Sequence, residues 1–194
     1  MKRTAVVLLA ILIHLSLGSC LDGKRKDSNS GQNTKDFVQV NVDNEYKIGV
    51  PRDMQQTTGL NPDASLQYQN IHDEIYTIVI DEPKKEFIAA MDELGYEEKS
   101  SVALYRDIQL SRLAERMDIT CQSKPVKTTI SGLQAESVEM DGKVDNIEEE
   151  LSYFLTFLEG ENKIYMIMSW TLKSKKQEHK KTFETIANSF ALSE

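Results

Sequence analysis

The fold is decided by residues 151–170, which read LSYFLTFLEGENKIYMIMSW. This stretch contains two runs in which apolar residues occupy every second position, separated by the turn-forming segment EGEN. The apolar positions are Leu151, Tyr153, Leu155 and Phe157 in the first run and Ile164, Met166, Met168 and Trp170 in the second. A period of two is typical of a β-strand with one buried face. Pairing Phe157 with Ile164 and Leu151 with Trp170 puts both apolar sets on one face, so the sequence predicts an antiparallel hairpin with a four-residue loop.

The segments on either side of this hairpin are also periodic. Upstream, residues 126–130 and 135–140 flank Ser131 and Gly132, which predicts a second hairpin. Downstream, an apolar stripe with helical spacing predicts an amphipathic helix that packs back on the sheet. The stripe consists of Phe183, Ile186, Ala187 and Phe190. Residues 174–177 (SKKQ) have the spacing of a capping box and are expected to begin this helix.

Two further strand pairs are predicted near the start of the folded region. Residues 37–42 alternate in polarity and are expected to pair with 46–50 across a short polar turn. Residues 66–71 and 75–80 are expected to pair across residues 72–73.

A helical block separates these early strands from the later ones. Residues 81–83 (DEP) predict a helix start, because carboxylates suit the N-terminus and Pro suits the first turn. The predicted apolar stripe is Phe87, Ile88, Met91 and Leu94, and Gly95 suits the left-handed position after the helix. Ser100 or Ser101 begins a second helix, with Val102, Tyr105, Ile108 and Leu113 on one face. A change to strand is expected before Cys121.

The order of these elements predicts an α+β fold in which an antiparallel sheet packs against helices. Several short stretches resemble the PsbP-like superfamily. They are YKIGVP at 46–51, ISGLQA at 130–135, the strand at 161–170, and the C-terminal stretch 182–192 with its Asn-Ser-Phe. The resemblance covers residues 38–192 and implies a PsbP-like sandwich.

The superfamily includes the extrinsic photosystem II subunit, the Ran-binding Mog proteins and the DcrB-type bacterial envelope lipoproteins. These members have unrelated functions, and the matching stretches are packing and turn patterns. The resemblance therefore implies a fold and transfers no functional residue to this chain.

The first twenty residues have the pattern of an exported protein. After a short basic segment, the apolar run at 5–17 is too short to span a membrane, which takes about 18 residues. LGSC at 17–20 resembles the lipobox of bacterial lipoproteins, whose Cys is diacylated, becomes the first residue after cleavage and is usually acylated again. The resemblance implies a signal peptide at 1–19 and lipidation of Cys20. An ordinary signal peptide with a coincidental Cys is the alternative.

The next residues predict a flexible connection to a single domain. Residues 21–36 are polar and rich in Gly, Ser and Asn, so they cannot form a core, and with the lipidated Cys they make a tether at 20–36. One α+β domain is expected at 37–194. Lipidation of Cys20 leaves Cys121 without a disulfide partner, whereas an unmodified Cys20 leaves a Cys20–Cys121 bridge open.

The net charge of the chain argues against nucleic acid as a partner. The chain has 31 Asp and Glu against 23 Lys and Arg, a net charge of −8, which becomes −10 if the two basic residues of the leader are removed. Such an acidic protein is a poor match for nucleic acid, whose binding depends on basic contacts to phosphate. The expected partners are the membrane, through acyl chains on Cys20, and an envelope protein that the sequence does not identify.

Few residues that could carry chemistry remain. His72 is expected in a solvated turn, His179 at the edge of the last helix's apolar stripe, and Cys121 as a small buried hydrophobic residue. The acidic stretch 141–150 fails the EF-hand pattern, because its Gly is in the second position, and is expected to be a solvated loop. No common catalytic or nucleotide-binding motif is present. The sequence therefore predicts no catalytic residue, no metal site and no cofactor.

Together these observations predict a lipid-anchored, non-catalytic protein of the bacterial cell envelope that faces the periplasm or the cell exterior. It is expected to bind a partner protein or to help assembly. Two alternatives stay open. One is a hydrolase or metal-dependent enzyme with a dispersed site, which a deep cleft collecting His72, Cys121 or several carboxylates would favour. The other is a carrier of a small ligand in a pocket between the sheet and the helices.

Overall fold

The computed structural model describes residues 36–96 and 100–193. The predicted signal peptide, Cys20 and the tether up to residue 35 lie outside these residues. The strands are β1 (Phe37–Val42), β2 (Tyr46–Pro51), β3 (Gln55–Gln56), β4 (Ala64–Asn70), β5 (Ile75–Pro83), β6 (Asp118–Gln122), β7 (Val126–Ile130), β8 (Leu133–Lys143), β9 (Leu151–Glu159), β10 (Lys163–Leu172) and β11 (Ala191–Leu192). The helices are α1 (Lys84–Glu93), α2 (Ser101–Ala114) and α3 (Lys176–Asn188). The predicted α+β class is confirmed.

The strands form two antiparallel sheets. The larger has eight strands in the order β3-β4-β5-β10-β9-β8-β6, and β7 also pairs with β8. The smaller has the order β1-β2-β11. Helices α1 and α2 pack on one face of the large sheet, and α3 packs on the other face together with the small sheet.

The central hairpin forms as predicted, but its register differs by two residues. Phe157 lies opposite Met166 instead of Ile164, and Leu151 lies opposite Leu172 instead of Trp170. The loop is tighter than expected, since the Gly160 amide donates to the Lys163 carbonyl at 2.9 Å. A shift of two keeps every side chain on its predicted face, so the shared apolar face is confirmed while the pairing was wrong.

The other predicted hairpins are present. β1 pairs with β2, β4 with β5, and β7 with β8. Ser131 and Gly132 have φ values of 49° and 82°, as a two-residue type I′ turn requires.

The helix starts needed correction. β5 continues through Pro83, so Asp81 and Glu82 pair with β10 and α1 begins at Lys84. The predicted capping box is also wrong. Residues 173–175 form a 3₁₀ turn, no side chain caps α3, and the Ser174 amide donates instead to the Glu149 carboxylate at 2.9 Å. Ser100 precedes α2 as predicted, and Gly95 has the expected positive φ of 83°.

The two faces of the large sheet have separate cores. The core beneath α1 and α2 contains Phe87, Met91, Tyr105, Val138, Met140, Leu155, Phe157, Ile164 and Met166. The core beneath α3 and the small sheet contains Tyr46, Ile48, Val79, Leu158, Tyr165, Ile167, Phe183, Ile186 and Phe190. In the part of the chain that the structure describes, no helix has the length and apolar character needed to cross a membrane.

Candidate functional site

A groove opens between α3 and the large sheet and has a volume of about 420 Å³. Its floor is apolar, with Phe154 in ring contact with Phe183 at 5.1 Å between centroids. Its walls come from β7, β8 and the exposed side of α3. Besides the two rings, the lining includes Ser123, Val126, Thr128, Ile130, Ser137, Glu139, Thr156, Ile167, Ser169, Lys180, Glu184, Ala187 and Asn188. Apolar groups in the floor and polar groups at the rim are the usual make-up of a binding site.

Short residues in the sheet create the space. Where large apolar side chains would fill the layer beneath α3, the strands carry Ser137, Thr156 and Ser169. The hydroxyls of Ser137 and Thr156 are 3.2 Å apart, and Ser169 bonds to Thr77 at 2.9 Å. These paired hydroxyls form a polar stripe along an otherwise apolar floor. Because each hydroxyl has a hydrogen-bond partner, the stripe does not impose the cost of an unpaired buried polar group.

Charged groups line one end of the groove. Lys180 of α3 forms an ion pair with Glu139 of β8, and Lys176 reaches the same carboxylate at 3.4 Å. Lys176 also donates to Asp141 at 2.8 Å, and the Ser152 hydroxyl donates to that carboxylate at 2.7 Å. These contacts fix the first half of α3 on β8 and thereby set the position of the groove wall.

Asp141 is ionised in a buried position. Burial opposes its charge, but the hydrogen bonds from Lys176 and Ser152 outweigh that effect and hold its pKa below the usual range. The same contacts raise the pKa of Lys176 against the opposing effect of its own burial. The pair therefore stays charged at neutral pH.

The solvated loop predicted at 141–150 is present at 145–149, which are exposed, but the two ends of the stretch need correction. Residues 141–143 continue β8, and Asp141 is 5% exposed. The end of the stretch contacts the 3₁₀ turn and β6, because Lys173 of the turn and Thr120 of β6 both donate to Glu150, at 2.6 and 2.7 Å. The sequence missed this because β8 beyond residue 140 is held between the start of β9 and β6, and β6 has no clear periodicity.

The three residues considered for catalysis are in separate places. His72 is exposed in the turn between β4 and β5. Cys121 was predicted to be buried, and the structure shows that this is wrong, since it is exposed on β6. His179 is buried on the inward face of α3, and its Nε2 has no hydrogen-bond partner among the described residues. None of the three lines the groove.

A second cavity of about 320 Å³ lies beside α2 and is more polar. Glu82 accepts hydrogen bonds there from Tyr105 at 3.2 Å and from Gln109 at 3.0 Å. Burial, with the Glu82 charge, raises the pKa of Tyr105 far above its ordinary value, so Tyr105 stays protonated and serves as a donor. Within residues 36–96 and 100–193, no group of three or more His, Cys, Asp or Glu is arranged to hold a metal ion.

Two solved structures share this fold, and a third is less similar. The solution structure of the cyanobacterial PsbP protein CyanoP from Synechocystis sp. PCC 6803 matches with a TM-score of 0.55 at 16% identity, over 91% of this chain and 98% of that chain. LpqN, involved in cell envelope biogenesis of Mycobacterium tuberculosis, matches with a TM-score of 0.50 at 8% identity, over 77% of this chain and 83% of that chain. A Pseudomonas aeruginosa protein of unknown function has a TM-score of 0.47 at 10% identity, over 79% of this chain and 94% of that chain.

No protein-family model matches the chain, and no curated protein matches it significantly. At such low identities, likeness of structure shows the fold and no more. The chain has the PsbP-like α+β fold that its sequence patterns imply.

Proposed function

We propose that this protein is a lipid-anchored, non-catalytic component of the bacterial cell envelope that holds a partner protein in the groove between α3 and the large sheet. The acyl chains on Cys20 attach it to the membrane, and residues 20–36 let the domain reach its partner. The work of the domain is binding, so it needs shape and polarity at the groove and no reactive side chain.

The observation that carries this proposal is the composition of the groove. It combines an aromatic floor at Phe154 and Phe183 with paired hydroxyls and a charged end, which suits recognition of a surface or segment with both apolar and polar groups. The envelope role of LpqN, which shares the fold, is compatible with it.

A second candidate is a carrier of a small ligand, which the groove volume of about 420 Å³ favours, since small-molecule sites span roughly 300–1,000 Å³. The enzyme alternative has less support. The most reactive side chains of the domain, Cys121 and His72, are exposed on different elements and do not line the groove. His179 is buried on the inward face of α3.

Anchoring is tested at Cys20. Cells that express the wild type and Cys20→Ser are grown with a radiolabelled fatty acid and then fractionated. We expect label and membrane association in the wild type only, because the acyl chains supply most of the membrane affinity. An unlabelled wild type would refute the lipid anchor.

Binding in the groove is tested with one variant in each of two paired strands, β7 and β8. Thr128→Trp puts a large ring over the groove, whereas Gln134→Trp, on the opposite face of the sheet, is the matched control. Both positions are exposed, and aromatic residues suit strands, so both variants are expected to fold. Each tagged full-length chain is used to capture proteins from a detergent extract of the envelope, with circular dichroism to confirm folding.

We expect at least one protein to be recovered by the wild type and Gln134→Trp but reduced more than tenfold with Thr128→Trp. Equal recovery by all three chains would contradict binding in the groove. Loss of a small molecule, detected by mass spectrometry of the released ligand, with unchanged protein recovery would favour the carrier alternative.

A further inference from the structure

The outer edge of β8 is covered by two short strands in tandem. β6 pairs with residues 140–143 of β8, and β7 pairs with residues 133–137. On the far side of β7 no strand pairs with it within the described ranges. The first four residues of β7, 126–129, are all exposed. β7 is therefore an open edge of the large sheet, next to the groove.

The turn that precedes β8 determines which backbone groups of β7 point outward. Ile130 and Leu133 close the two-residue type I′ turn, so they form a hydrogen-bonded pair. Bonded pairs alternate along antiparallel strands, so Thr128 and Val126 also bond to β8. The amides and carbonyls of Lys127 and Thr129 then point away from the sheet. They offer two donors and two acceptors to an incoming strand.

The side chains of this edge are unusual for such an acidic protein. Val126 lines the groove and is 62% exposed, although it is apolar. It lies between Lys124 and Lys127, both exposed, and neither forms an ion pair within the part of the chain that the structure describes. The edge thus combines an exposed apolar side chain with two lysines that form no ion pair among the described residues, in a chain of net charge −8.

We infer that β7 is the docking edge for an extended segment of the partner protein in which apolar and acidic residues alternate. The segment adds to the large sheet as a further strand by bonding the backbones of Lys127 and Thr129. Its acidic side chains approach Lys124 and Lys127, and an apolar side chain enters the groove beside Val126. This inference rests on the proposed function and specifies the chemistry of its partner.

The same residues argue against a second copy of this chain as the occupant. Two β7 edges side by side would bring lysines from both copies together, and Pro125 has no amide to donate. Lys and Pro at an exposed edge are common devices against edge-to-edge association of identical sheets. A partner with acidic residues meets no such repulsion, so these lysines select for it.

The probe is a library of random ten-residue peptides displayed on phage, selected against the immobilised full-length chain in mild detergent. We expect enriched peptides to alternate apolar and acidic residues. The dissociation constant of the best peptide is then measured by fluorescence anisotropy. Lys124→Glu with Lys127→Glu should weaken binding at least tenfold, and a peptide whose acidic residues are replaced by Lys should recover it.

The matched control is Lys85→Glu with Lys143→Glu, which makes the same change of charge at two exposed lysines away from β7. It should leave the dissociation constant within about twofold. Peptides methylated at every second amide test strand addition directly. Methylation of one alternate set should abolish binding, and methylation of the other set should leave it, because only one set faces β7.

Three outcomes would overturn the inference. They are the absence of enriched acidic–apolar peptides, equal binding by both methylated sets, and concentration-dependent dimerisation that the lysine substitutions strengthen. If these occur while capture still depends on Thr128, the groove binds a partner in another way and the proposed function stands. If capture does not depend on Thr128 either, both proposals fail.

Discussion

The two faces of the large sheet differ in how completely they are closed. Beneath α1 and α2, strands β9 and β10 present large apolar side chains, and Phe157 contacts Tyr105 edge-on at 6.1 Å between centroids. Even the charge on that face is enclosed, since Glu136 is 2% exposed and pairs with Arg106 of α2. Beneath α3, the same strands alternate large residues with Ser and Thr, and the groove remains open.

The two faces of the large sheet therefore contribute differently to the stability of the domain and to binding. Beneath α1 and α2, large side chains fill the layer at high density and contribute most to the free energy of unfolding, and the polar cavity of about 320 Å³ lies beside α2. A face with short polar residues buries less apolar area and keeps a cavity. We therefore expect truncation of a large side chain to cost more stability on the closed face than in the floor of the groove.

The largest effect is expected from Phe157→Ala on the closed face. Phe157 is fully buried, so its truncation should lower the free energy of unfolding by about 3–5 kcal/mol. Phe154→Ala, on the floor of the groove, should cost about half as much, because that ring is half-buried and borders open space. Urea denaturation of both variants measures the difference. Equal costs would contradict the contrast between the faces.

A smaller effect is expected from Lys176→Met. The change leaves the buried Asp141 carboxylate with Ser152 and with Lys173, whose Nζ is 3.7 Å away. Removing one partner of a buried ion pair costs roughly 3–5 kcal/mol, and the remaining contacts favour the lower end, about 3 kcal/mol. Thermal unfolding with Lys181→Met as an exposed control on the same helix tests this. A matching melting temperature for the two variants would refute a structural role for the pair.

Substitutions at the paired hydroxyls of Ser169 and Thr77 should change the free energy of unfolding non-additively, with a loss of about 1–2 kcal/mol for a single change. Ser169→Ala leaves the buried Thr77 hydroxyl without its partner, which should cost that amount. Adding Thr77→Val removes both polar groups and should restore stability to near the wild-type value. A double variant that loses the sum of the two single losses would show that the hydroxyl pair is not the cause.

The smallest effect is confined to acid pH. Burial opposes the charge of Asp141, yet its hydrogen bonds hold its pKa below the value of about 4 of an unfolded aspartate. Its stabilisation is therefore present above about pH 4 and lost as the pH falls through the folded pKa. In Asp141→Asn the free energy of unfolding should fall less steeply below pH 4 than in the wild type. If the free energy of unfolding falls equally steeply below pH 4 in both proteins, Asp141 is not the group responsible.

Local patterns predicted the elements well because short-range chemistry determines them. The I′ turn at Ser131 and Gly132 and the alternation in β9 and β10 required no knowledge of the rest of the chain. Register was less predictable. A shift of two leaves the faces unchanged, so hydrophobic patterning cannot distinguish the two pairings and the tight turn at Gly160 decides.

The groove was harder to predict because it depends on contacts that are distant in sequence. Thr156 and Ser169 stand in the quoted stretch, but their position beneath α3 depends on how the last helix packs. Cys121 was misplaced because its strand is at the sheet edge, where a small apolar residue need not be buried. Nothing in residues 118–122 marks β6 as an edge strand.

The central claim is that the protein acts by binding at the groove and not through a reactive side chain. Its most direct test is complementation of a deletion strain, under an envelope stress in which the deletion impairs growth. We expect the triple variant Cys121→Ala, His72→Asn, His179→Gln to restore growth, Gln134→Trp to restore it as well, and Thr128→Trp not to restore it, with all three variants folded by circular dichroism. A folded triple variant that fails to restore growth, together with a Thr128→Trp variant that succeeds, would contradict the claim and favour an enzyme.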